Sequence, residues 1–335
     1  MSESLIPMQT TIELTYRCNE RCGHCYLATY DDHADGRPPL ALEEWQRVLD
    51  QLAEAGAFLL VLIGGEAMLH PHFWQIAEHA ADRNFALNLI TNGLLIDDAA
   101  AERMARLGFY NVTVSLYSLN AEIHDRMTNR KGSHARTLAA IERLLKNKVQ
   151  TGINCLLTSE NIEFYFELEA WANAQNIRIG FDPLVTAKSN GELGSTGTRP
   201  SPQQLLRFYQ SLRAKGRGPQ PIEAGEADDP VCNAGRGKCA VNVYGDLLTC
   251  LEVREPIGNL RQHSFAELWH SAKAAELRGY KNRDLKFDSK CGDGSFCDHC
   301  PGMAAAETGD RMAAVPYLME LAQIKRSVFE ETASK

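Results

Sequence analysis

No apolar run in the 335-residue chain approaches the roughly 20 residues that a bilayer-spanning helix needs. Residues 1–10 lack a basic stretch followed by an apolar block, so no export signal is read there and the chain is expected in the cytoplasm, with no membrane partner. Positive charge is in deficit. The 35 Lys and Arg face 43 Asp and Glu, and the net −8 argues against a nucleic acid as main partner. Nothing repeats at a fixed period, which disfavours a solenoid. Apolar residues are not short, however: 44% hydrophobic against 23% charged rules out global disorder.

Cysteine is what the chain has in excess. Ten thiols in a reducing compartment point to metal or redox chemistry rather than to disulfides. Cys18, Cys22 and Cys25 cluster near the start, Cys155 stands alone, and Cys232, Cys239, Cys250, Cys291, Cys297 and Cys300 fall in the last third.

Between residues 10 and 182, short β-rich runs alternate with amphipathic helical runs. Strands are expected at residues 11–15, 58–63, 86–90, 111–116, 152–157 and 177–181, with helices at 42–55, 73–83, 98–107, 133–147 and 162–175. Leu42, Trp45, Val48, Leu49 and Leu52 show the helical spacing, and Ser133 offers itself as an N-cap. Right-handed crossovers of this kind give a parallel sheet. Periodicity does not separate an incomplete barrel from a flat doubly wound sheet, and in both the ligand gathers at the carboxyl ends of the strands. Residues 183–230 are rich in Gly, Pro, Ser and Thr around a short helix from Ser201–Pro202 through Leu212. A hairpin is expected over 239–250, turning at Tyr244-Gly245-Asp246, then helices at 265–277 and 316–328, the last packing back on the core.

Directly after the first strand, Cys18, Cys22 and Cys25 form C-x3-C-x2-C. Three thiolates on one tight loop can face one point, and thiolates are the usual ligands of iron–sulfur clusters. Three of them leave one iron of a four-iron cluster without a protein ligand, which is how catalytic metal sites admit a substrate. The plainer alternative is a zinc knuckle with His24 as fourth ligand. It fits poorly, because His24 is wedged between two of the cysteines.

The loop, Cys18-Asn19-Glu20-Arg21-Cys22-Gly23-His24-Cys25-Tyr26, resembles that of the radical S-adenosylmethionine superfamily, which also has an aromatic after its third cysteine. The resemblance implies an α/β fold: a partial (β/α)6 TIM-type barrel, then a small cysteine-rich auxiliary-cluster domain and a C-terminal helix. It implies a [4Fe–4S] cluster whose open iron is chelated by S-adenosylmethionine, and a 5′-deoxyadenosyl radical on one-electron cleavage. Gly64-Gly65-Glu66 stands where the family has the Gly-Gly-Glu motif that meets the methionine amino group, with Ala67 in place of the usual Pro. Thr91 and Asn92 end the third strand. Ser115 and Arg136 stand where sulfatase-maturing relatives contact the cofactor, so Tyr26, Gly64, Gly65, Glu66, Thr91, Asn92, Ser115 and Arg136 are the implied cofactor residues.

The last third is Gly-rich and poor in apolar residues, and such a stretch needs a staple. Zinc would serve, and Cys297-x2-Cys300 alone would fit it. Gly245-x4-Cys250, with Cys232 upstream and a Gly-Asn-Leu run at Asn259, instead resembles the SPASM extension of radical enzymes, which normally carries seven cysteines and two auxiliary clusters. Carried over, Cys232, Cys239, Cys250 and Cys300 make a complete set for one auxiliary [4Fe–4S] cluster. The second site is depleted to Cys291 and Cys297, with Asp288 where a cysteine is expected, so it is read as degraded or empty. The resulting division is residues 1–183 for the barrel, 184–230 for a linker, 231–303 for the auxiliary domain and 304–335 for a helical tail.

Residues 15–65, with Ser115-Leu116-Tyr117-Ser118, most resemble SPASM enzymes that modify ribosomally made peptides by cross-linking, epimerisation or oxidative decarboxylation. Leu251 follows Cys250 where sulfatase maturases place a catalytic acid, so formylglycine formation is disfavoured. The implied partners are a precursor peptide, a separate leader-recognition protein (strand one starts near residue 11, with no leader-binding domain before it), and a flavodoxin- or ferredoxin-type electron donor. Cys155 lies on an apolar strand and reads as a small core residue rather than as a hydrogen donor to the reaction. The alternatives are a radical enzyme acting on a porphyrin or other small molecule, and a non-catalytic, zinc-stapled interaction protein.

Overall fold

The computed structural model describes residues 5–222, 226–286 and 295–333. Strands β1 (Gln9–Glu13), β2 (Leu59–Ile63), β3 (Ala86–Thr91), β4 (Asn111–Ser115), β5 (Thr151–Leu156) and β6 (Arg178–Asp182) are parallel neighbours in chain order. The crossovers carry helices α1 (Leu42–Glu54), α2 (Phe73–Asp82), α3 (Asp98–Arg106), α4 (Ala121–Thr128), α5 (Ser133–Lys146) and α6 (Tyr165–Ala174). On the helical side the strands bury Ile12, Leu60, Leu62, Leu87, Leu89, Val112, Val114 and Ile153, against which α1 sets Trp45, Val48, Leu49 and Leu52. The alternate residues, among them Thr113, Ser115 and Asn154, face the opposite side and are only partly covered.

The barrel does not close, and the reason is visible at β1. Its second edge is taken by β7 (Lys238–Val241), parallel, with Thr10 opposite Cys239. Antiparallel β8 (Asp246–Cys250) and β9 (Val253–Asn259) follow, so one sheet runs β6-β5-β4-β3-β2-β1-β7-β8-β9. With both edges of β1 occupied, β6 has nothing to close onto.

Helix α7 (Pro202–Ala214) begins with the expected Ser201–Pro202 cap and packs on α11 (Pro316–Ala333). Tyr317 Oη donates to Pro183 O at 2.7 Å, which ties that last helix to the end of the barrel. Among the described residues no helix is long and apolar enough to cross a membrane.

Several local expectations are corrected. Ser133 is the first residue of α5 rather than its cap, and its hydroxyl is engaged with Asp125 and Thr128. Residues 265–277 form two helices, α8 (Phe265–Trp269) and α9 (Ala272–Leu277), because Ser271 caps a new start by accepting from Ala274 N. Helix α10 (Pro301–Thr308) starts at Cys300. Helix α4 and strand β9 were not foreseen. The first is a short element capped by Asn120, and the second carries Pro256 beside a register shift, the place where a strand tolerates proline.

Candidate active site

The cysteine loop is fixed by backbone on two sides. After β1 the chain crosses the end of β2: Gly65 N donates to Thr15 O (2.7 Å) and Glu66 N to Arg17 O (2.8 Å). A Cβ on Gly64 would lie 2.4 Å from Thr15 O, and one on Gly65 would lie 2.4 Å from Tyr16 O and 2.5 Å from Arg17 O. The two glycines therefore let one backbone lie against another, and the loop inherits its position from that contact. On the other side, the end of α4 receives Arg21 N at Thr128 O (3.1 Å) and Gly23 N at Met127 O (3.3 Å). Arg21 Nη1 donates to Cys18 O and Glu20 O, and Arg130 Nη1 donates to Asn19 O.

Cys18, Cys22 and Cys25 come together with two acids. Burial pushes the Cys18 thiol up to about 12, Cys22 well above its ordinary value, and Cys25 upward; each also feels at least one of the other charges in the loop. Glu20 is pushed up to about 7, first by burial and then by Glu66, and its Oε1 has no hydrogen-bond partner among the described residues. Glu66 is raised by burial, although it accepts from Thr91 Oγ1 (2.8 Å), Asn92 N (3.0 Å) and Met68 N (3.1 Å). Three thiols and two carboxylates thus share a buried site whose donor set asks for positive charge. A thiolate-bound iron cluster and a cofactor ammonium fit that demand. A single ion fits less well: among the described residues no three His, Cys, Asp or Glu could hold one. His24 is turned away as a fourth ligand, its ring edge-on to Tyr117 at 4.7 Å.

The other predicted residues separate by strand face. Ser115 pairs with Asn154 on the open side of the sheet. Cys155, next to Asn154, points to the helical side. It is fully buried, in hydrogen-bond contact with Tyr117 O and Asn161 Nδ2, and raised to about 12 by burial, which is the environment of an inert core thiol. Thr91 and Asn92 surround Glu66, and Asn92 Nδ2 also donates to Asn19 Oδ1 (2.6 Å) on the cysteine loop. Arg136 is exposed on α5 and donates to Leu94 O (2.7 Å), so it holds the loop after β3.

A network absent from the sequence reading lies beside Tyr26. Its hydroxyl donates to Glu13 Oε1 (2.8 Å), Arg254 Nη1 donates to Glu13 Oε2 (3.0 Å), and the Arg254 guanidinium lies over the Tyr26 ring. The available signal was an acid set between Ile12 and Leu14 at the end of the first strand, since a charge is almost never fully buried without a partner.

In the last third, Cys239 on β7 meets Thr10 on β1 (Sγ to Oγ1, 3.4 Å). Cys250, at the end of β8, acts electrostatically on both Cys239 and Cys300. Cys232 lines a small cavity with Thr249, Pro301 and Arg311, and Thr249 Oγ1 there has no hydrogen-bond partner among the described residues. Thr249 and Pro301 are the chain neighbours of Cys250 and Cys300, and burial raises Cys239 to about 12 and Cys300 to about 11. Cys297 is half-buried; Asp288 and Cys291 lie outside the described residues.

Between the two cysteine groups is a cavity of about 290 Å³, lined among others by Tyr26, Lys188, Glu252, Arg254, Met303 and Arg311. Arg254 is paired with Glu13, Arg311 with Glu255 and Lys188 with Glu192. Glu252 has no salt-bridge partner among the described residues, and burial pushes its carboxyl upward.

Residues 12–165 match the family model of the radical SAM superfamily, and residues 232–301 match that of the SPASM iron–sulfur cluster-binding domain. The AdoMet-dependent heme synthase of Methanosarcina barkeri is 29% identical, covering 91% of this chain and 94% of that protein. The antilisterial bacteriocin subtilosin biosynthesis protein AlbA of Bacillus subtilis is 32% identical, covering 90% and 66%. Among solved structures, Streptococcus suis SuiB bound to its precursor peptide SuiA shares the fold, with a TM-score of 0.72 at 18% identity over 94% of this chain and 76% of that one.

Proposed function

The chain belongs to the radical SAM superfamily and carries the SPASM iron–sulfur domain; on that premise we propose that it abstracts hydrogen from a C–H bond of a ribosomally made peptide. When bound, a [4Fe–4S] cluster and S-adenosylmethionine supply one-electron cleavage of the sulfonium and a 5′-deoxyadenosyl radical. The chain's residues bind and orient. Cys18, Cys22 and Cys25 would hold the cluster, with one iron left open. Glu66, fixed by Thr91, Asn92 and Met68, would take the cofactor ammonium through charge-assisted hydrogen bonds. Ser115 would offer a hydroxyl from the open face, while Gly64 and Gly65 keep the loop close and Arg136 holds the loop after β3. Cys232, Cys239, Cys250 and Cys300 would hold one auxiliary cluster, and Tyr26 would wall the substrate space.

The cavity between the two cysteine groups carries the peptide reading. Its volume of about 290 Å³ is at the low end for small-molecule sites. That suits a residue or two of a chain reaching in from outside. It is cramped for a tetrapyrrole. The Bacillus subtilis relative, which serves the biosynthesis of a bacteriocin, supports the same reading. A tetrapyrrole substrate is the second reading, favoured by the heme synthase relative, which matches along nearly its whole length. A flavodoxin- or ferredoxin-type donor and a cytoplasmic location suit chemistry that needs free thiols and a strong reductant.

The test is anaerobic reconstitution, then reduction with S-adenosylmethionine and the short peptide encoded beside the gene. A brown protein that releases 5′-deoxyadenosine and changes the mass of the peptide is expected. A colourless zinc protein inert to dithionite overturns the enzyme. 5′-Deoxyadenosine release coupled only to a tetrapyrrole overturns the peptide.

A further inference from the structure

We infer that the face made by α4, the start of α5 and the cysteine loop docks a small acidic one-electron carrier protein, and that the rings of His134, His124, Tyr117 and His24 lead from that face to the cysteines. This rests on the radical SAM reading above. The chain as a whole carries −8, yet this face gathers Arg21, Arg126, Arg130, Lys131 and Arg136 in and around one helix end. Arg21 and Arg130 are fastened to carbonyls of the cysteine loop itself, so their charge sits beside the loop. Lys131 is exposed and has no ion-pair partner among the described residues. Of the acids nearby, Asp125 is engaged by Gly132 N, Ser133 Oγ and His134 N, Glu160 is shared with Arg126, and Glu122 is exposed at the start of α4. Five Lys and Arg thus face three acids, so the balance of this face is cationic, in a molecule whose net charge is negative. Such a patch steers an acidic partner to one place.

The second observation is independent of charge. His134, on the first turn of α5, meets His124 at 5.7 Å between ring centroids; His124 stacks on Tyr117 at 5.5 Å; Tyr117 meets His24 at 4.7 Å. His24 stands between Cys22 and Cys25. Tyr117 N donates to His124 Nδ1 (3.3 Å), which fixes that ring beside Tyr117, while the Nε2 atoms of His124 and His134 are buried with no hydrogen-bond partner among the described residues. Tunnelling decays steeply across gaps and less steeply through packed rings, and this series is packed from the surface to the loop. The opposite side of the loop faces the cavity between the cysteine groups, where a substrate, rather than a reductant, has to enter. In the step itself one electron leaves the anionic flavin hydroquinone of a flavodoxin, leaving the neutral semiquinone. It is received by the iron held at Cys18, Cys22 and Cys25, with no proton or atom transferred.

The test uses the reconstituted enzyme and reduced flavodoxin. Binding is followed by flavin fluorescence at several salt concentrations, and reduction by stopped-flow bleaching of the cluster. The double variant Arg126→Glu with Lys131→Glu is expected to weaken association by roughly tenfold or more at low salt and to flatten its salt dependence. Cleavage driven by dithionite should not change. His134→Leu should bind flavodoxin as the parent does but accept its electron several-fold more slowly. The same charge reversal at Arg207 and Lys215, on α7 and just beyond it, serves as the control. Parental affinity in the Arg126/Lys131 variant, or an equal loss in the control, overturns the docking face. Parental electron transfer in His134→Leu overturns the ring path. A parent protein that fails to cleave S-adenosylmethionine even with dithionite overturns the radical SAM reading instead.

Discussion

The two cysteine regions are built in opposite ways. The first puts three thiols within eight residues of one loop, which rests on backbone at Gly64, Gly65 and the end of α4 and is tied further by Arg21, Arg130 and Asn92. The set proposed for the second, Cys232, Cys239, Cys250 and Cys300, comes from a loop, β7, β8 and the cap of α10, spread over 69 positions. A local site forms whenever its loop forms. A dispersed one exists only once the sheet, the hairpin and α10 are in place, and a bound cluster returns the favour by stapling a small, Gly-rich stretch.

That contrast can be broken from either side. The largest effect is expected from Cys18→Ser, which removes a ligand of the local site. Reductive cleavage of S-adenosylmethionine should vanish, as read by 5′-deoxyadenosine, while the iron at the dispersed site stays. Cys239→Ser should do the reverse: cleavage persists, product disappears, and iron falls from about eight per chain to about four by the four-iron count. About twelve irons in the parent would show that the depleted second auxiliary site is filled after all. Glu252→Gln, midway between the regions, should lower product formation by roughly tenfold to a hundredfold with cleavage retained, which sorts a substrate contact from a cofactor contact. Gly65→Ala should cost about 3 kcal/mol in denaturant unfolding, because its Cβ meets two carbonyl oxygens of backbone that has no room to retreat. The smallest effect concerns the clamp between α1 and the end of β9. Arg261 grips both oxygens of Glu44 and holds its carboxyl down at about 2. A depressed carboxylate stabilises the fold above its ordinary value of 4.5, and that contribution fades as pH falls from there toward about 2. Glu44→Gln should flatten this limb of the acid-unfolding curve.

The same contrast explains what could be read from sequence. The C-x3-C-x2-C spacing, Gly64-Gly65-Glu66 and the alternation of strands with helices are short-range patterns. Each announces itself within a few residues, as with Trp45, Val48, Leu49 and Leu52 on α1. The pairing of Glu13 with Arg254 joins residues 241 positions apart, and no local pattern carries it beyond the oddity of a buried acid. The Gly-Gly-Glu motif is legible from sequence as a cofactor motif, but not that its two glycines lie against the backbone of residues 15–17. Helix α4 escaped because Ile123 and Met127 give it only one turn of apolar spacing. Strand β9 escaped because Pro256 and two charges interrupt it. The open barrel was undecidable from periodicity, since what keeps it open is a strand more than 220 positions from β1.

That strand has one more consequence. Because β7 is zipped to β1 by the ladder itself, at about the 4.8 Å that separates neighbouring strands, the two cysteine groups ride on a single slab of backbone. The spacing of β1 and β7, with Thr10 opposite Cys239, is thus set by the ladder and not by the long connection between them. Insertions and deletions in that intervening stretch can therefore accumulate, reshaping the mouth through which a substrate arrives while the wiring beneath it keeps its gauge.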